Sequence, residues 1–157
     1  MVRVTTAAEM AAAVTAHAHH ATIVLMAAAV ADHRPRTVAP SKLRKAALPV
    51  TLELEPTVDI LRSLGENKGE RFLAGFAAET DDLLASAERK LGEKHLDLIV
   101  ANDVSGTAGG FESEQNAATL LDAQGGQVEV PLVSKRELAE RILDRVRTLR
   151  PARAGRV

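Results

Sequence analysis

The stretch FLAGFAAETDDLLASAERKLGEKHLDLIVA, residues 72–101, decides the fold class of this chain. It begins with a short apolar run, Phe72–Phe76, and ends with another, Asp97–Ala101. Such runs are typical of strands buried on both faces, as in a parallel sheet. Between them, Thr80 and the two acids after it favour the start of a helix, which we predict to continue to about Lys94. The stretch therefore predicts a strand–helix–strand unit.

Upstream of this unit the same kinds of signal recur. Thr22–Met26 is a further apolar run and predicts another buried strand. Thr6 and Glu9 have the spacing of a capping box, which predicts a helix from about Ala7 to His17. The proline-containing and basic segment Asp32–Leu48 is predicted to be a long loop, and long loops in compact domains are usually functional or mobile.

The remaining segments complete an alternating pattern. Thr51–Glu55 alternates apolar and charged residues, as a strand with one solvated face does. Val58–Leu64 predicts a short helix that ends at Gly65. Near the carboxyl terminus, a second capping box begins at Ser134 and predicts a helix over Lys135–Leu149.

A hairpin signal precedes that last helix. Gly125-Gly126 separates the apolar runs Thr119–Leu121 and Val128–Val130. Strands that alternate with helices and then give way to a hairpin indicate an α/β fold. We predict a Rossmann-like, mostly parallel sheet flanked by helices, with a C-terminal antiparallel hairpin extension. Residues 1–150 would form one domain, and 151–157 a disordered basic tail.

Composition narrows the function classes. With 20 basic and 21 acidic residues, the chain has no net charge that would favour nucleic acid or a membrane surface, so neither is an expected partner. No apolar run reaches membrane-spanning length. The absence of cysteine excludes disulfides, thiolate metal sites and a cysteine nucleophile, and it fits a cytoplasmic location.

Ligands of open α/β sheets bind beyond the carboxyl ends of the strands. Asp32, which follows the first strand, is a candidate ligand for a divalent cation, although a turn or cap is the commoner role of such an aspartate. Phe76, which ends the next strand, is a candidate for stacking on a base, or an ordinary core residue. Asn102 and Asp103 follow the third strand and often simply make the turn.

Two basic groups are further candidates. Lys42, Arg44 and Lys45 lie on the predicted long loop, from which cations can close over a phosphate. Lys90 and Lys94 are spaced i, i+4 and share one helix face, where both can reach a single anion. A solvated charge cluster is the alternative in each case. No Walker A, GxGxxG, nucleophile-elbow or HExxH motif is present.

Several short segments occur in a characteristic order that is more specific than any one of them. They are Ala27–Pro35 (AAAVADHRP), Lys42–Lys45 (KLRK), Asp59–Leu61, Gly75–Thr80 (GFAAET), Asp97–Ser105 (DLIVANDVS), Gly110-Phe111, Asn116 and Ser134-Lys135. Taken together, over roughly Val4 to Leu149, they resemble the phosphopantothenoylcysteine synthetase half of the bacterial bifunctional coenzyme A biosynthesis protein.

The resemblance implies a ligase that joins 4′-phosphopantothenate to cysteine. In that family CTP first activates the carboxylate as an acyl-cytidylate and releases pyrophosphate, and cysteine then displaces CMP. Mg²⁺ is the implied cofactor and CTP the co-substrate, while no flavin is expected in this chain. The hairpin 119–132 resembles the family's dimerisation extension, which implies a homodimer. The alternative is a non-catalytic nucleotide-binding or dimerisation module.

The resemblance also implies particular site residues. Lys42 matches the first lysine of the family's K-x-K-K loop and is the implied catalytic residue, with Arg44 in place of the third-position lysine. Asp32 is the implied metal ligand. Thr57 and Val58 depart from the family's Asn-Pro. The implied nucleotide-binding residues are Met26, Ala27, Ala28, Asp32, Lys42, Thr57, Val58, Asp59, Ile60, Phe76, Lys90 and Lys94.

The front of the family's domain has no counterpart in this sequence. The family begins with a glycine-rich strand–loop–helix, whereas this chain opens just ahead of the family's Thr-Ala-x-Glu-Met segment, here Thr6–Met10. We therefore expect the first βαβ part of the domain to be lacking, the sheet to have an open edge, and ligase function to be incomplete in this chain alone.

Overall fold

A computed structural model describes residues 1–44, 51–79, 82–103 and 114–150. Within these ranges the chain forms four helices and seven strands. The helices are α1 (Ala7–Ala18), α2 (Ile60–Glu66), α3 (Leu83–Glu93) and α4 (Lys135–Leu149); the strands are β1 (Ile23–Met26), β2 (His33–Pro35), β3 (Leu54–Pro56), β4 (Phe72–Glu79), β5 (Leu98–Asp103), β6 (Gln115–Asp122) and β7 (Gln127–Ser134).

The main sheet has five strands in the order β1-β4-β5-β6-β7. β1, β4 and β5 are parallel, with Ile23 opposite Phe72 and Ala74 opposite Leu98. β6 and β7 continue the sheet in antiparallel pairing, and Leu120 lies opposite Val128. This mixed sheet with flanking helices confirms the predicted α/β fold and its C-terminal hairpin.

Two apolar clusters form the core, one on each face of the sheet. Successive residues of a strand point to opposite faces, so Ile99 joins one cluster and its neighbour Val100 the other. Buried residues of α1, α2 and α3 cover the first face, whereas α4 covers the second with its buried stripe Leu138, Ile142 and Val146. β4 and β5 are therefore fixed in register by burial on both sides.

Two predicted helices have boundaries that differ from those in the structure. α2 does not begin at Val58 or end at Gly65: Asp59 is its N-cap, and Gly65 is a buried residue inside it. α3 begins at Leu83, after Asp82, which adopts a left-handed conformation with φ 48° and makes no side-chain cap hydrogen bond. Thr80, the predicted opening residue, lies outside the described residues.

The predicted loop Asp32–Leu48 contains a strand, which corrects that prediction. β2 pairs with β3 in a separate antiparallel sheet, in which Arg34 lies opposite Glu55. Their side chains form an ion pair with an N–O distance of 2.7 Å. β3 also lies later than the predicted strand Thr51–Glu55. Residues 45–50 are outside the described ranges.

β1 forms one edge of the main sheet. Its inward residues Val24 and Met26 pack against the first core cluster, while Ile23 and Leu25 are each 41% exposed. This edge strand therefore presents apolar side chains as well as unpaired backbone groups. In the part of the chain described above, every helix is too short or too polar to cross a membrane.

Candidate functional site

The principal candidate site is a cavity of about 360 Å³ at the carboxyl ends of the parallel strands. β1 and β4 open into it, which is where an open α/β sheet usually binds its ligand. The loop before α2 and one face of α3 complete its walls. The lining residues are Met26, Ala28, Ala29, Val30, Ala31, Asp32, Thr57, Val58, Asp59, Ile60, Leu61, Phe76, Ala77, Ala78, Lys90 and Lys94.

Thr57 joins two walls of this cavity. Its backbone N–H donates to the carbonyl oxygen of Asp32 at 2.8 Å, and its hydroxyl donates to the carbonyl oxygen of Ala31. The segment that leaves β1 is thereby held against the segment that leads into α2. Thr57 stands where the resemblance implies an asparagine, and it too supplies a hydrogen-bonding side chain.

Asp59 has two structural partners. One carboxylate oxygen accepts a hydrogen bond from the Arg62 backbone N–H at 3.0 Å, which caps α2. The other lies 2.9 Å from the Lys94 ammonium, which belongs to the end of α3. Burial alone would raise the pKa of Asp59, but the Arg62 N–H, the Lys94 ammonium and the Arg62 charge together lower it. Asp59 is therefore held as a carboxylate.

The two lysines of α3 project into the same cavity. Lys94 is the C-cap of the helix, its side chain is 22% exposed, and its backbone N–H donates to the Lys90 carbonyl at 3.1 Å. Lys90 lies one turn earlier on the same face and also lines the cavity. The two positive side chains and the carboxylate of Asp59 make the cavity suited to an anionic ligand that bears hydrogen-bonding groups.

Phe76 belongs partly to the site and partly to the core. It lines the cavity, and it also packs against the second core cluster. Ala77 and Ala78, which follow it, also line the cavity and place only small side chains there. A planar ring beside small residues gives an aromatic ligand room to approach the backbone.

The structure brings together ten of the twelve predicted nucleotide-binding residues. Ala27 does not line the cavity, although Met26 and Ala28 on either side of it do. Lys42 does not line it either; it is exposed and lies just ahead of residues 45–50, which are outside the described ranges. Residues that lie far apart in the sequence therefore meet at one rim of the sheet, but Lys42, the implied catalytic residue, is not among them.

Sequence reasoning missed some residues of the site. Ala29, Val30 and Ala31 line the cavity without having been predicted to do so, although they belong to Ala27–Pro35, one of the segments that carry the resemblance. Arg62 and Glu93, which do not line the cavity, connect α2 to α3 through a contact of 3.4 Å. No local sequence pattern predicts that pair, because its two residues are 31 positions apart.

Asp32 is exposed at the rim and has the donor chemistry that a divalent cation requires. Across residues 1–44, 51–79, 82–103 and 114–150 no three His, Cys, Asp or Glu side chains converge as a metal site. Asp59, the other carboxylate of the cavity, already pairs with Lys94. Asp32 thus fits a cation of the kind that takes one carboxylate from the protein and further oxygens from a phosphate and water.

Comparisons with known proteins agree with this geometry. The chain is 44% identical over 146 residues to the coenzyme A biosynthesis bifunctional protein CoaBC of Bacillus subtilis (strain 168), covering 93% of this chain and 36% of that protein. It is 41% identical over 151 residues to the protein of the same name from Escherichia coli (strain K12), covering 94% of this chain and 37% of that protein.

A solved structure gives the same result. The crystal structure of the C-terminal domain of a CoaBC protein superposes with a TM-score of 0.77 at 38% identity, covering 94% of this chain and 66% of that one. The chain thus spans little more than a third of the length of its curated relatives and about two thirds of the solved domain. The model of the family described as the DNA/pantothenate metabolism flavoprotein C-terminal domain matches residues 1–149. The chain therefore belongs to the DNA/pantothenate metabolism flavoprotein C-terminal domain family.

Proposed function

We propose that this chain supplies the nucleotide site of a CTP-dependent ligase that joins 4′-phosphopantothenate to cysteine in coenzyme A biosynthesis. The observation that carries the proposal is the single cavity that contains Asp32, Asp59, Phe76, Lys90 and Lys94. The names of the relatives place those proteins in coenzyme A biosynthesis, which supports the same reading.

The charges of the cavity suit a nucleoside triphosphate. Lys90 and Lys94 offset negative charge on the phosphates, both in the ground state and as pyrophosphate leaves. Because Lys94 already pairs with Asp59 at 2.9 Å, its ammonium is positioned before the ligand arrives. A positioned cation loses less side-chain entropy on binding than a freely rotating one.

The apolar part of the cavity suits a nucleobase. Met26 and Phe76 offer polarisable and aromatic surface on neighbouring strands, and base stacking on an aromatic ring contributes about 1–3 kcal/mol. Ala28 and its neighbours leave backbone N–H and carbonyl groups accessible to the base edge. Hydrogen bonds from the backbone would then distinguish cytosine from other bases.

Mg²⁺ is the cofactor that we propose for this site, held by Asp32. When bound, the cation would offset the charge of the triphosphate. Lys42, on the exposed segment that follows β2, is the proposed catalytic residue, and it would contact the acyl-cytidylate or its leaving group. These assignments draw on the family resemblance together with the position of Asp32 at the cavity rim.

We also propose that the chain works as a homodimer and that turnover needs a segment outside these 157 residues. The hairpin 119–132 carries Val128 and Leu132 at 39% and 45% exposure, which supports its use as an interface. The chain spans 66% of the solved domain that it resembles, which supports the need for a further segment.

A turnover assay tests the proposal. The chain, alone and supplemented with the glycine-rich amino-terminal segment of a relative's domain, is incubated with 4′-phosphopantothenate, CTP, Mg²⁺ and cysteine. We expect cysteine-dependent release of CMP in the supplemented sample. Lys42→Gln should lower that release by at least about 100-fold, within the range for a catalytic group. Arg136→Gln, which alters a side chain 90% exposed on α4, is the control.

The outcomes of this assay test the role of Lys42 and distinguish a ligase from a non-catalytic module. CMP release that Lys42→Gln leaves unchanged would remove Lys42 from the mechanism. A dimer that binds no CTP would favour the alternative, a non-catalytic dimerisation module.

A further inference from the structure

α2 and the end of α3 meet along a seam that includes the contacts of Gly65 with Lys94 and of Arg62 with Glu93. At Gly65 this seam leaves no space for a side chain. Gly65, buried in the last turn of α2, faces the backbone of Lys94. A Cβ atom added at Gly65 would lie 2.0 Å from the Lys94 carbonyl oxygen and 2.8 Å from its carbonyl carbon. The atoms that it would meet belong to the backbone and cannot move aside by rotation of a side chain.

This contact involves the backbone of Lys94, whose side chain lines the cavity. The Lys94 carbonyl lies beside Gly65, and its ammonium lies 2.9 Å from Asp59, the residue that caps the opposite end of α2. Asp59 and Gly65 are six residues apart, about 9 Å along a helix. Lys94 therefore contacts both ends of α2, with its backbone beside Gly65 at the carboxyl end and its ammonium beside the capping Asp59 at the amino end.

We infer that Gly65 is a positioning residue for the candidate nucleotide site, because its missing side chain allows α3 to approach α2 closely enough for Lys94 to reach Asp59 and the cavity. Gly65 itself does not line the cavity and acts only through Lys94. The contact between Arg62 and Glu93, at 3.4 Å, closes the same seam from its exposed side.

The size of the expected displacement follows from the geometry. Real Cβ atoms essentially never come within 3.0 Å of another heavy atom of this kind, whereas a Cβ at Gly65 would lie 2.0 Å from the Lys94 carbonyl oxygen, so Gly65 and the end of α3 must move apart by about 1 Å. We expect this separation to carry Lys94 and the turn before it, with Lys90, away from Asp59. Misplacement of a binding group by about 1 Å can weaken function by as much as 100-fold.

The chain offers a matched control for this substitution. Gly92, in the last turn of α3, is exposed, and a Cβ added there would have no neighbour within 4 Å. Gly92→Ala therefore makes the same chemical change without a clash, and it stabilises the helix by replacing glycine with a better helix former. The test variant is Gly65→Ala made in the Gly92→Ala background, so that this added stability favours folding.

The first measurement needs no ligand. Carbon-detected NMR follows the titration of the Asp59 carboxyl in Gly92→Ala, Gly65→Ala/Gly92→Ala and Lys94→Met. The positioning role predicts that the pKa of Asp59 is lowest in Gly92→Ala and rises in both other variants, because each takes the ammonium away from the carboxylate. Destabilisation of the seam alone would lower the unfolding midpoint and leave this titration unchanged. An unchanged titration, or failure of the double variant to fold, would overturn the inference.

The second measurement rests on the proposed function. Calorimetry with CTP and Mg²⁺ should show that Gly65→Ala weakens binding at least about tenfold when Lys94 is present, and less than about twofold when position 94 is Met. An equal loss in both backgrounds would show that Gly65 acts independently of Lys94 and would overturn the inference. If Gly92→Ala binds no CTP, the proposed function fails, while the NMR comparison still decides whether Gly65 positions Lys94.

Discussion

Asp59 is a single residue that contributes both to the stability of α2 and to the arrangement of the candidate site. One of its oxygens caps α2 and the other holds Lys94 at the cavity. The sequence resemblance indicated that Asp59 contacts a nucleotide, but it gave no sign of the cap or of the ion pair. The cap joins residues only three positions apart, whereas the ion pair depends on where α3 ends in space, which no local pattern around Asp59 contains.

The two roles of Asp59 can be separated by substitution. Asp59→Asn keeps an oxygen that can cap α2 but loses the charge that holds Lys94, so we expect weaker nucleotide binding with little loss of stability. Asp59→Ala also loses the cap and should lower the free energy of unfolding by about 1 kcal/mol more. Urea denaturation compares the two variants; equal stability of Asn and Ala at this position would contradict the capping role.

Asp122 is a buried carboxylate, only 2% exposed, on which we base a pH prediction. Burial alone would raise its pKa, but the Arg145 side chain and the backbone N–H groups of Gly126 and Gln124 lower it. A carboxyl whose pKa is lower in the folded state stabilises the protein above its unfolded pKa, about 3.9. That stability is lost as the pH falls below about 4 through the folded value.

Urea midpoints measured from pH 7 to pH 3 check this prediction. The wild-type midpoint should fall steeply below about pH 4, and Asp122→Asn should start lower at pH 7 and change less on acidification. Asp144→Asn, at a side chain 73% exposed, is the control and should follow the wild type. Parallel curves for wild type and Asp122→Asn would show that Asp122 does not contribute to the acid sensitivity.

At the scale of helices and strands, the sequence predicted best those elements that are stabilised by interactions between residues close together in the chain. α1 and α4 were predicted well because helix caps are local: Thr6 and Ser134 each accept a hydrogen bond from the backbone three residues later. β2 was missed because it pairs with a strand far along the chain: Arg34 and Glu55, which lie opposite each other in β2 and β3, are 21 residues apart. Gly65 was misread as a helix end because its close contact with α3 is a tertiary feature.

The cap of α4 gives a prediction at this scale. Ser134→Ala removes the acceptor for the Glu137 N–H, 3.1 Å away, and should lower the free energy of unfolding by about 1 kcal/mol. α4 covers one face of the sheet, so the loss should appear in the global unfolding transition. Urea denaturation measures it, with Arg136→Ala on the exposed side of the same helix as the control. A difference below about 0.3 kcal/mol from that control would contradict the capping role.

At the scale of the whole molecule, the described residues form an α/β sheet with the parallel strand β1 at one edge and the antiparallel strand β7 at the other. The sequence predicted the parallel strands and the hairpin, because buried apolar runs and a Gly-Gly turn are strong local signals. Ten of the twelve site residues that it predicted line the cavity, and most of these ten were named only through the order of family segments. Pattern alone favoured ordinary roles for Asp32 and Phe76, since convergence at one rim is a property of the folded sheet.

The proposed homodimer gives a prediction at the molecular scale. Leu132→Glu places a charge on the exposed apolar surface of β7 and should shift the protein from dimer to monomer in sedimentation velocity. Leu143→Glu, at a residue 49% exposed on α4, is the matched control and should leave the dimer intact. A monomeric wild type, or a Leu132→Glu dimer of unchanged stability, would rule out this surface as the interface.

The central claim is that one cavity, at the carboxyl ends of β1 and β4, binds CTP. Isothermal titration of the chain with CTP and Mg²⁺ tests it most directly, with Lys94→Met and the exposed-site control Arg136→Gln measured alongside. We predict saturable binding to the wild type and the control, and binding about 10- to 100-fold weaker to Lys94→Met, as expected for loss of a charge-assisted hydrogen bond. Absence of CTP binding by the wild type, or equal affinity of Lys94→Met, would contradict the account.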